Sequence, residues 1–241
     1  RHASGVRRLR WSPAGRGQVP QGYYDSVDTS SPAALRATLH AVIDDHLRHP
    51  YTASSTDTWD ILEAAMQDPG NPGRILEVYR NESHPKQGGG NSFYNREHSW
   101  PKSYGFPDDN SGNYPYTDCH LLFLCDPGYN SSRSNKPFRN CSSSCNEEPT
   151  VFNNGQGGGS APWPGNSNSS AGSFTQRTWE TWIGRRGDIA RAQLYADVRY
   201  EGGTHGTTGA SEPDLILTDI ESLIDNSNTG NNEPVAYMGM L

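Results

Sequence analysis

The chain has 241 residues, a formal net charge of −7 and 32% hydrophobic residues, with 26 glycines and 17 prolines. That length can bury a sizeable core, while the glycine and proline content indicates long loops around a modest regular scaffold. No apolar run reaches the roughly 18 residues of a membrane-spanning helix, and the amino end carries no signal-peptide core, so we expect no membrane association.

The amino-terminal third is predicted to be helical after a flexible start. Residues 1–20 are basic and punctuated by Gly and Pro, which predicts a flexible arm before one domain over residues 21–241. Ser30-Ser31-Pro32 is typical of a helix start, and apolar residues at helical spacing continue to Leu47, before Pro50. A second helix is predicted to open at Thr56 or Asp57 and to bury Trp59, Leu62, Ala65 and Met66 on one face.

Short strands are predicted next. A turn cluster over residues 68–73 precedes a predicted strand at 74–79, and a second strand is predicted over 93–98, before Pro101. A short apolar segment at 118–124 and a short helix near 130–135 follow.

The carboxy-terminal half is predicted to return to helices after a long polar segment. Residues 141–175 show almost no periodicity and are interpreted as a surface excursion. A third helix is expected from Asp188 to Arg199 and a fourth from Glu212 to Ile224. The pattern predicts an α+β fold, a mixed single domain rich in loops, in which a small sheet and one helix carry the site.

Four cysteines allow three pairings, and the sequence does not choose among them. Cys141 and Cys145 flank three serines without a nearby histidine, which favours a small-loop disulfide over a zinc site. Cys119 and Cys125 are open to two interpretations, buried free thiols or a second bridge. The composition favours an oxidising, extracytoplasmic setting, secreted or periplasmic.

The segment at 94–102 places a carboxylate directly beside a histidine. We predict that Glu97 binds a divalent metal and that His98 takes a proton from water, because a neutral imidazole is well matched to that task near neutral pH. Asn130 supplies a second oxygen ligand, and Arg133 is the candidate cation for the phosphate. One carboxylate and one amide oxygen suit Mg²⁺, with Mn²⁺ or Ca²⁺ as alternatives, because Mg²⁺ usually keeps several waters.

Each of these residues also has a structural interpretation. A lone histidine is more often structural than catalytic, and Asn130-Ser131-Ser132 also matches a glycosylation sequon. Arg133 would then be a solvated surface charge, and Asp118 with His120 a buried hydrogen-bonded pair.

Three ordered motifs resemble the endonuclease I family of extracytoplasmic bacterial nucleases. They read Asn95-Arg96-Glu97-His98-Ser99-Trp100-Pro101-Lys102-Ser103, Asp118-Cys119-His120-Leu121-Leu122-Phe123 and Tyr129-Asn130-Ser131-Ser132-Arg133-Ser134-Asn135. A later segment, 184–192, is similar to a helix of that family, so the resemblance covers roughly residues 21–241. It implies a ββα-metal (His-Me finger) core that cleaves DNA and RNA with little sequence preference and leaves 5′-phosphates.

The resemblance implies the same roles for the central residues, with His98 as general base and Glu97 and Asn130 as metal ligands. Substrate-binding candidates are basic side chains of these segments: Arg96, Lys102, Arg186 and Arg191. Supporting positions around the site are expected at Asp118, His120 and Asn135.

The chain departs from the family pattern in three ways. A D-x-H-H pattern here has Leu121 in place of its second histidine, and the loop between His98 and Asp118 lacks the arginine that some members use at the transition state. The chain also ends at Leu241, where relatives usually continue, and we expect a clipped form.

Two further hypotheses remain. The net acidity and the missing loop arginine would suit a catalytically silent nuclease fold that only binds nucleic acid. A zinc hydrolase would need His or Cys ligands at H-x-x-x-H or C-x-x-C spacing, which the sequence lacks. We expect DNA and RNA as partners, no membrane and no obligate protein partner.

Overall fold

A computed structural model describes residues 19–159, 165–172, 178–220, 223–224 and 235–239. The chain divides into two compact units, residues 1–42 and residues 43–241. The predicted division into an arm over 1–20 and a domain over 21–241 stays a prediction, because most of that arm lies outside the described residues.

The described residues form four α-helices: α1 (Pro32–Ile43), α2 (Thr58–Ala65), α3 (Pro127–Arg133) and α4 (Ile183–Arg199). They also form ten strands: β1 (Gln67–Asp68), β2 (Asn71–Leu76), β3 (Ser83–Pro85), β4 (Asn95–His98), β5 (Leu122–Cys125), β6 (Asn146–Pro149), β7 (Ser167–Ala171), β8 (Thr178–Glu180), β9 (Asp214–Thr218) and β10 (Val235–Gly239). The presence of both helices and small, mostly antiparallel sheets confirms the predicted α+β class.

Four small sheets organise these strands. Three are antiparallel, in the orders β1-β2-β3, β4-β5 and β6-β7-β8, and β9 pairs in parallel with β10. None of the helices in the described part of the chain is both long and apolar enough to cross a bilayer.

The first two helices begin where the sequence predicts. The Ser31 hydroxyl accepts a hydrogen bond from the Ala34 backbone N–H (3.1 Å), which caps α1. This helix ends before Leu47, because Asp45 has a φ of 55°, which a right-handed helix does not allow. At α2, Asp57 and Asp60 form a reciprocal capping box.

Strand β5 positions the β4–β5 pair between two hydrophobic clusters. Leu122 and Leu124 pack with Trp59 of α2, while Cys125 and the partly buried Phe123 pack with the other cluster, which contains Trp179. Successive residues of a strand point to opposite faces, so the two sides of β4 have different surroundings.

Two predicted boundaries in the first half are wrong. Strand β2 begins at Asn71, inside the predicted turn cluster, because the Asp68 carboxylate accepts from the Gly70 N–H (2.8 Å) and the turn closes at Pro69 and Gly70. The strand predicted at 74–79 also ends earlier, at Leu76.

Three predictions in the second half are corrected. The excursion at 141–175 contains β6 and β7, which pair with each other, while β7 also pairs with β8. Helix α4 begins at Ile183 rather than Asp188, and Gly184 fits there because a Cβ would lie 2.1 Å from the Trp182 ring. The predicted fourth helix is instead strand β9, in which Leu215 is buried. The pairing of β9 with β10 imposes a side-chain period of two.

Candidate active site

Strands β4 and β5 and helix α3 form one continuous ββα unit. His98 pairs with Leu122 and Glu97 with Phe123, and α3 begins directly after β5. Asp126 caps α3 by accepting from the Gly128 N–H (2.7 Å) and the Tyr129 N–H (3.1 Å). The unit therefore brings the residues of the first and third motifs together.

A buried carboxylate outside the predicted site fixes where α3 starts. Glu77 accepts from the backbone N–H groups of Arg80 (3.2 Å), Glu82 (3.3 Å) and Asp126 (3.2 Å). Burial raises its pKa to about 7, against the lowering effect of these N–H donors. No local pattern in the sequence marks the link to α3, because the Asp126 donor lies 49 residues away.

Glu97 is buried and held by two donors on one oxygen. Its Oε1 accepts from the Tyr79 hydroxyl (3.0 Å) and from Nη1 of Arg133 (2.9 Å). Burial raises the pKa of Glu97 to about 7, while Arg133 and the Tyr79 hydroxyl lower it. The carboxylate is thus fixed in one orientation by an arginine and by a phenol that the sequence did not single out.

Arg133 faces inward rather than toward solvent. Its side chain is 1% exposed, and besides Glu97 it donates to the carbonyls of His98 (2.9 Å) and Ser99 (2.6 Å). Its guanidinium carbon lies 4.4 Å from the centre of the Phe138 ring. In this arrangement Arg133 holds Glu97 and the end of β4, and does not present its charge at the surface for a phosphate.

Asn130 is half-buried on α3 and contacts β4. Its Nδ2 donates to Oδ1 of Asn95 (2.7 Å) and to the carbonyl of Arg96 (3.4 Å). A backbone carbonyl only accepts, which fixes the amide with its nitrogen toward β4. The Oδ1 atom is then the end of Asn130 that can bind a cation.

The donor set fits a hard divalent cation. Glu97 and Asn130 offer carboxylate and amide oxygens, and Mg²⁺ is commonly held by one or two such groups with waters completing the octahedron. Within the described ranges, no three His, Cys, Asp or Glu side chains gather as a metal-binding cluster. The predicted ligands are one carboxylate and one amide, which do not require such a cluster.

His98 lies on the other side of β4, among aromatic rings. Its Nε2 is 2.9 Å from the carbonyl of Tyr116, which only accepts, so Nε2 carries the proton and Nδ1 the lone pair. The Tyr51 ring lies nearly parallel to the imidazole (centroids 5.9 Å, 21°), and Tyr116 meets it edge-on (4.9 Å). Burial lowers the pKa of His98 to about 4, which leaves the ring neutral at pH 7.

Arg96 and Lys102 occupy the same side as His98. The Arg96 guanidinium lies 3.3 Å from the centre of the Tyr51 ring and donates to the hydroxyls of Thr58 (2.7 Å) and Thr52 (3.1 Å). Lys102 is exposed, and its Nζ donates to the Tyr116 hydroxyl (3.1 Å). Of these two predicted substrate contacts, Lys102 is the one whose charge is at the surface.

Arg186 and Arg191 lie on α4 beside carboxylates of their own region. Arg186 pairs with Glu180 (2.8 Å), and the largely exposed Arg191 pairs with Asp188. The structure thus places them with β8 and α4 rather than with the β4–β5–α3 unit.

The predicted supporting residues separate into two groups. The buried Asp118 accepts from His120 Nδ1 (3.0 Å) and from the hydroxyls of Tyr195 (2.8 Å) and Tyr200 (2.8 Å), which joins the segment before β5 to α4. Asn135 contributes its carbonyl, which accepts from the Tyr104 hydroxyl (3.0 Å).

The favoured small-loop disulfide is confirmed between Cys141 and Cys145. Cys119 and Cys125, for which the sequence left two interpretations open, are free thiols.

Comparison with known proteins identifies the family of this chain. The family model described as Endonuclease I matches residues 32–217, and the chain therefore belongs to the endonuclease I family. It is 32% identical to an extracellular ribonuclease of Bacillus amyloliquefaciens over 91% of this chain and 62% of that protein. It is 30% identical to an extracellular ribonuclease of Bacillus subtilis (strain 168) over 88% of this chain and 67% of that protein.

The chain spans about two thirds of the length of these curated relatives. No solved structure gives a significant match to it.

Proposed function

We propose that the protein is a secreted, divalent-metal-dependent endonuclease that hydrolyses phosphodiester bonds of DNA and RNA with little sequence preference. One observation carries the proposal: a neutral imidazole with its Nδ1 lone pair available follows Glu97 on β4, and Asn130 of α3 is hydrogen-bonded to the same strand.

His98 is the proposed general base. The Tyr116 carbonyl fixes the tautomer, so Nδ1 is the atom that receives a proton from water. The depressed pKa keeps the imidazole neutral at pH 7, so Nδ1 is unprotonated there, while it also makes the ring a weaker base than a solvated histidine. Rings on two sides hold the imidazole in plane, which lowers the cost of orienting it at each turnover.

Glu97 and Asn130 are the proposed ligands of Mg²⁺, or of Mn²⁺ or Ca²⁺ in its place. The bound cation would neutralise charge on the phosphate and on the leaving 3′ oxygen, so that a 5′-phosphate results. The protein's part is to hold the ligands still: Tyr79 and Arg133 restrain Glu97, and Asn95 restrains Asn130.

Lys102 is the proposed phosphate contact nearest the base. Its ammonium lies 5.1 Å from the centre of the Tyr116 ring, which itself packs on His98. Phosphate contacts carry no sequence information, which agrees with low sequence preference. Both Bacillus relatives are named extracellular ribonucleases, which supports RNA as a substrate and secretion, and the Cys141–Cys145 disulfide suits that setting.

A cleavage assay tests the proposal. Supercoiled plasmid and a long single-stranded RNA are incubated with the protein in Mg²⁺ or EDTA, beside His98→Ala and the control His84→Ala on β3. We expect cleavage only with the metal and a loss of about 10²–10⁴-fold in His98→Ala, the range for general-base catalysis. His84→Ala should retain activity.

The outcomes separate the competing hypotheses. Equal cleavage by His98→Ala and the parent would disprove the assignment of the base. Retardation of DNA without cleavage in any divalent metal would support the silent binding module instead.

A further inference from the structure

Three polar atoms on one side of β4 have no hydrogen-bond partner within the part of the chain that the structure describes. They are Oε2 of Glu97, Oδ1 of Asn130 and Nδ2 of Asn95, and each keeps contact with solvent. Asn95 and Glu97 are two residues apart on the strand, so their side chains point to the same face about 7 Å apart. Two unused acceptors and one unused donor are thus gathered on this face.

The orientation of the two amides follows from a chain of hydrogen bonds. The Arg96 carbonyl only accepts, so it fixes Nδ2 of Asn130 toward β4 (3.4 Å). That nitrogen also donates to Asn95 (2.7 Å), which therefore turns its Oδ1 toward α3. The free end of Asn130 is then an acceptor, and the free end of Asn95 is a donor.

A pair of acceptors beside a donor fits a cation together with the anion that the cation binds. Oε2 of Glu97 and Oδ1 of Asn130 are oxygen ligands that suit a hard divalent cation. The amide nitrogen of Asn95 cannot bind a cation, but its N–H groups can donate to an anionic oxygen. Asparagine side chains are among the groups that contact phosphate oxygens in nucleic-acid complexes.

The other donors beside Glu97 are already engaged. The Tyr79 hydroxyl and Nη1 of Arg133 both donate to Oε1 of Glu97, and Arg133 also donates to two backbone carbonyls. Lys102 bonds to an aromatic residue on the opposite side of the strand. A phosphate on the Glu97 side of β4 therefore meets Asn95 as its side-chain donor from this strand.

We propose that Asn95 is a phosphate-binding residue, whose Nδ2 donates to a nonbridging oxygen of the phosphate that the cation at Glu97 and Asn130 binds. The inference rests on the proposed function, because it concerns the substrate of that reaction. Asn95 then has two roles. Its Oδ1 positions Asn130, and its Nδ2 contacts the substrate.

Asn95→Asp separates these two roles. The aspartate keeps an oxygen that accepts from Asn130 and replaces the donor with a second anionic oxygen. Asn95→Ala removes both roles without adding charge. Asn71→Asp is the matched control, because Asn71 is exposed at the start of β2 and its Oδ1 likewise accepts a hydrogen bond, from the Gly73 N–H (3.1 Å).

Two binding measurements on the full chain report the two roles separately. Calorimetric titration with Mg²⁺ alone reports the cation ligands. Fluorescence anisotropy of a labelled single-stranded RNA in EDTA, at one fixed ionic strength, reports the phosphate contact without metal or cleavage. The kcat/KM for RNA cleavage in saturating Mg²⁺ is measured beside them.

We expect Asn95→Asp to bind Mg²⁺ at least as tightly as the parent and to bind the RNA about tenfold more weakly, the loss of one charge-assisted hydrogen bond. Asn95→Ala should lose about tenfold in both affinities, since it also frees Asn130. In both Asn95 variants kcat/KM should fall about tenfold. Asn71→Asp should match the parent in all three measurements.

An RNA affinity and a kcat/KM equal to those of the parent in Asn95→Asp would overturn the proposal and leave Asn95 with its positioning role alone. An equal loss of RNA affinity in Asn71→Asp would also overturn it, because added charge would then explain the effect. Weaker Mg²⁺ binding by Asn95→Asp would count against it as well, since Asn95 would then act through the cation.

Failure of this inference is distinguishable from failure of the proposed function. A parent that cleaves RNA no faster than Asn95→Asp removes the phosphate contact and keeps the nuclease. A parent that neither binds Mg²⁺ nor cleaves removes the proposed function, while the RNA affinities in EDTA still decide whether Asn95 contacts phosphate.

Discussion

The two sides of strand β4 carry opposite kinds of environment although their key residues are consecutive. On one side Glu97 is buried in an ion pair with Arg133 and a hydrogen bond from Tyr79. On the other, His98 makes one hydrogen bond to a backbone carbonyl and otherwise meets aromatic rings. The alternation of a strand thus places a buried ion pair on one side and a neutral imidazole among aromatic rings on the other.

The same burial affects the two groups in opposite directions. It raises the pKa of Glu97 to about 7 and lowers that of His98 to about 4, because it penalises whichever form is charged. Glu97 depends on the Arg133 guanidinium and the Tyr79 hydroxyl to stay ionised. His98 is neutral and needs no charged partner. The two sides should therefore respond differently when their neighbours are replaced.

The largest effect is expected from Arg133→Met. Removal of one partner of a buried ion pair leaves Glu97 as an uncompensated buried charge, and such losses are about 3–5 kcal/mol in the free energy of unfolding. Urea unfolding at pH 7 measures it.

The double variant Arg133→Met/Glu97→Gln is the control for that prediction. It has no buried charge to leave unpaired, so we expect it to recover a good part of the lost stability while remaining inactive. A double variant as unstable as Arg133→Met alone would mean that packing of the Arg133 side chain, rather than the ion pair, dominates this side of β4.

Tyr51→Leu probes the His98 side. The Tyr51 ring lies nearly parallel to the imidazole and supports Arg96 on the same side, so its loss frees the orientation of the proposed base, His98. We expect kcat to fall about tenfold with little change in KM, which corresponds to about 1.4 kcal/mol in the activation free energy. Tyr51→Phe keeps the ring and should restore kcat; a Phe variant as slow as the Leu variant would assign the effect to the hydroxyl.

Tyr79→Phe is a smaller test of the Glu97 side. It deletes one hydrogen bond to Oε1 of Glu97 and leaves the ring in the core. We expect a loss of about 1 kcal/mol in the free energy of unfolding and a several-fold weaker apparent affinity for Mg²⁺ in the cleavage assay. Unchanged metal dependence would show that Arg133 alone is sufficient to restrain the carboxylate.

The local part of this site was easier to predict from the sequence than its long-range part. Consecutive residues on a strand must alternate, so the placement of Glu97 and His98 on opposite sides of the predicted strand follows from the residue order alone. The partners of Glu97 do not, because Tyr79 comes from the segment after β2 and the inward turn of Arg133 depends on the carbonyls at the end of β4. The alternative interpretation of Arg133 as a solvated surface charge is wrong for that reason.

The fold shows the same division. Capping residues such as Asp57 located helix starts correctly, since a cap is encoded within a few residues. Strand β9 was mistaken for a helix because Leu217, Ile220 and Ile224 are spaced as on one face of a helix. The spacing of two between Leu215 and Leu217 fits a strand instead, and pairing with β10 decides in its favour. Strands β6 and β7 have too few apolar residues to show a pattern, and their pairing in the β6-β7-β8 sheet is what defines them.

The smallest effect on the free energy of unfolding is expected for the pair Asp118 and His120. This pair lies on neither side of β4 and serves as a reference. Burial alone would raise the pKa of Asp118, but the hydrogen bond from His120 and the nearby His46 hold it well below its usual range. The hydrogen bond to Asp118 raises the pKa of His120, whose side chain is 73% exposed.

The sign of each shift fixes its pH window. A lowered carboxyl pKa stabilises the fold above the unfolded value of about 3.9, and that contribution is lost as the pH falls through the folded pKa of Asp118. A raised histidine pKa stabilises the fold below about 6.5, and this part is lost as the pH rises through the folded pKa of His120. The pair should contribute most between about pH 4 and 6.5.

Urea unfolding from pH 4 to 8 of the parent and of His120→Gln measures the histidine part. We expect the parent's advantage over His120→Gln to shrink as the pH rises above about 6.5, and by little, because the histidine is solvated. His84→Gln is the matched control: burial lowers the pKa of His84, so any contribution it makes must have the opposite dependence on pH. An advantage that does not decline with pH would mean that His120 acts through its packing on Tyr195 rather than through its charge.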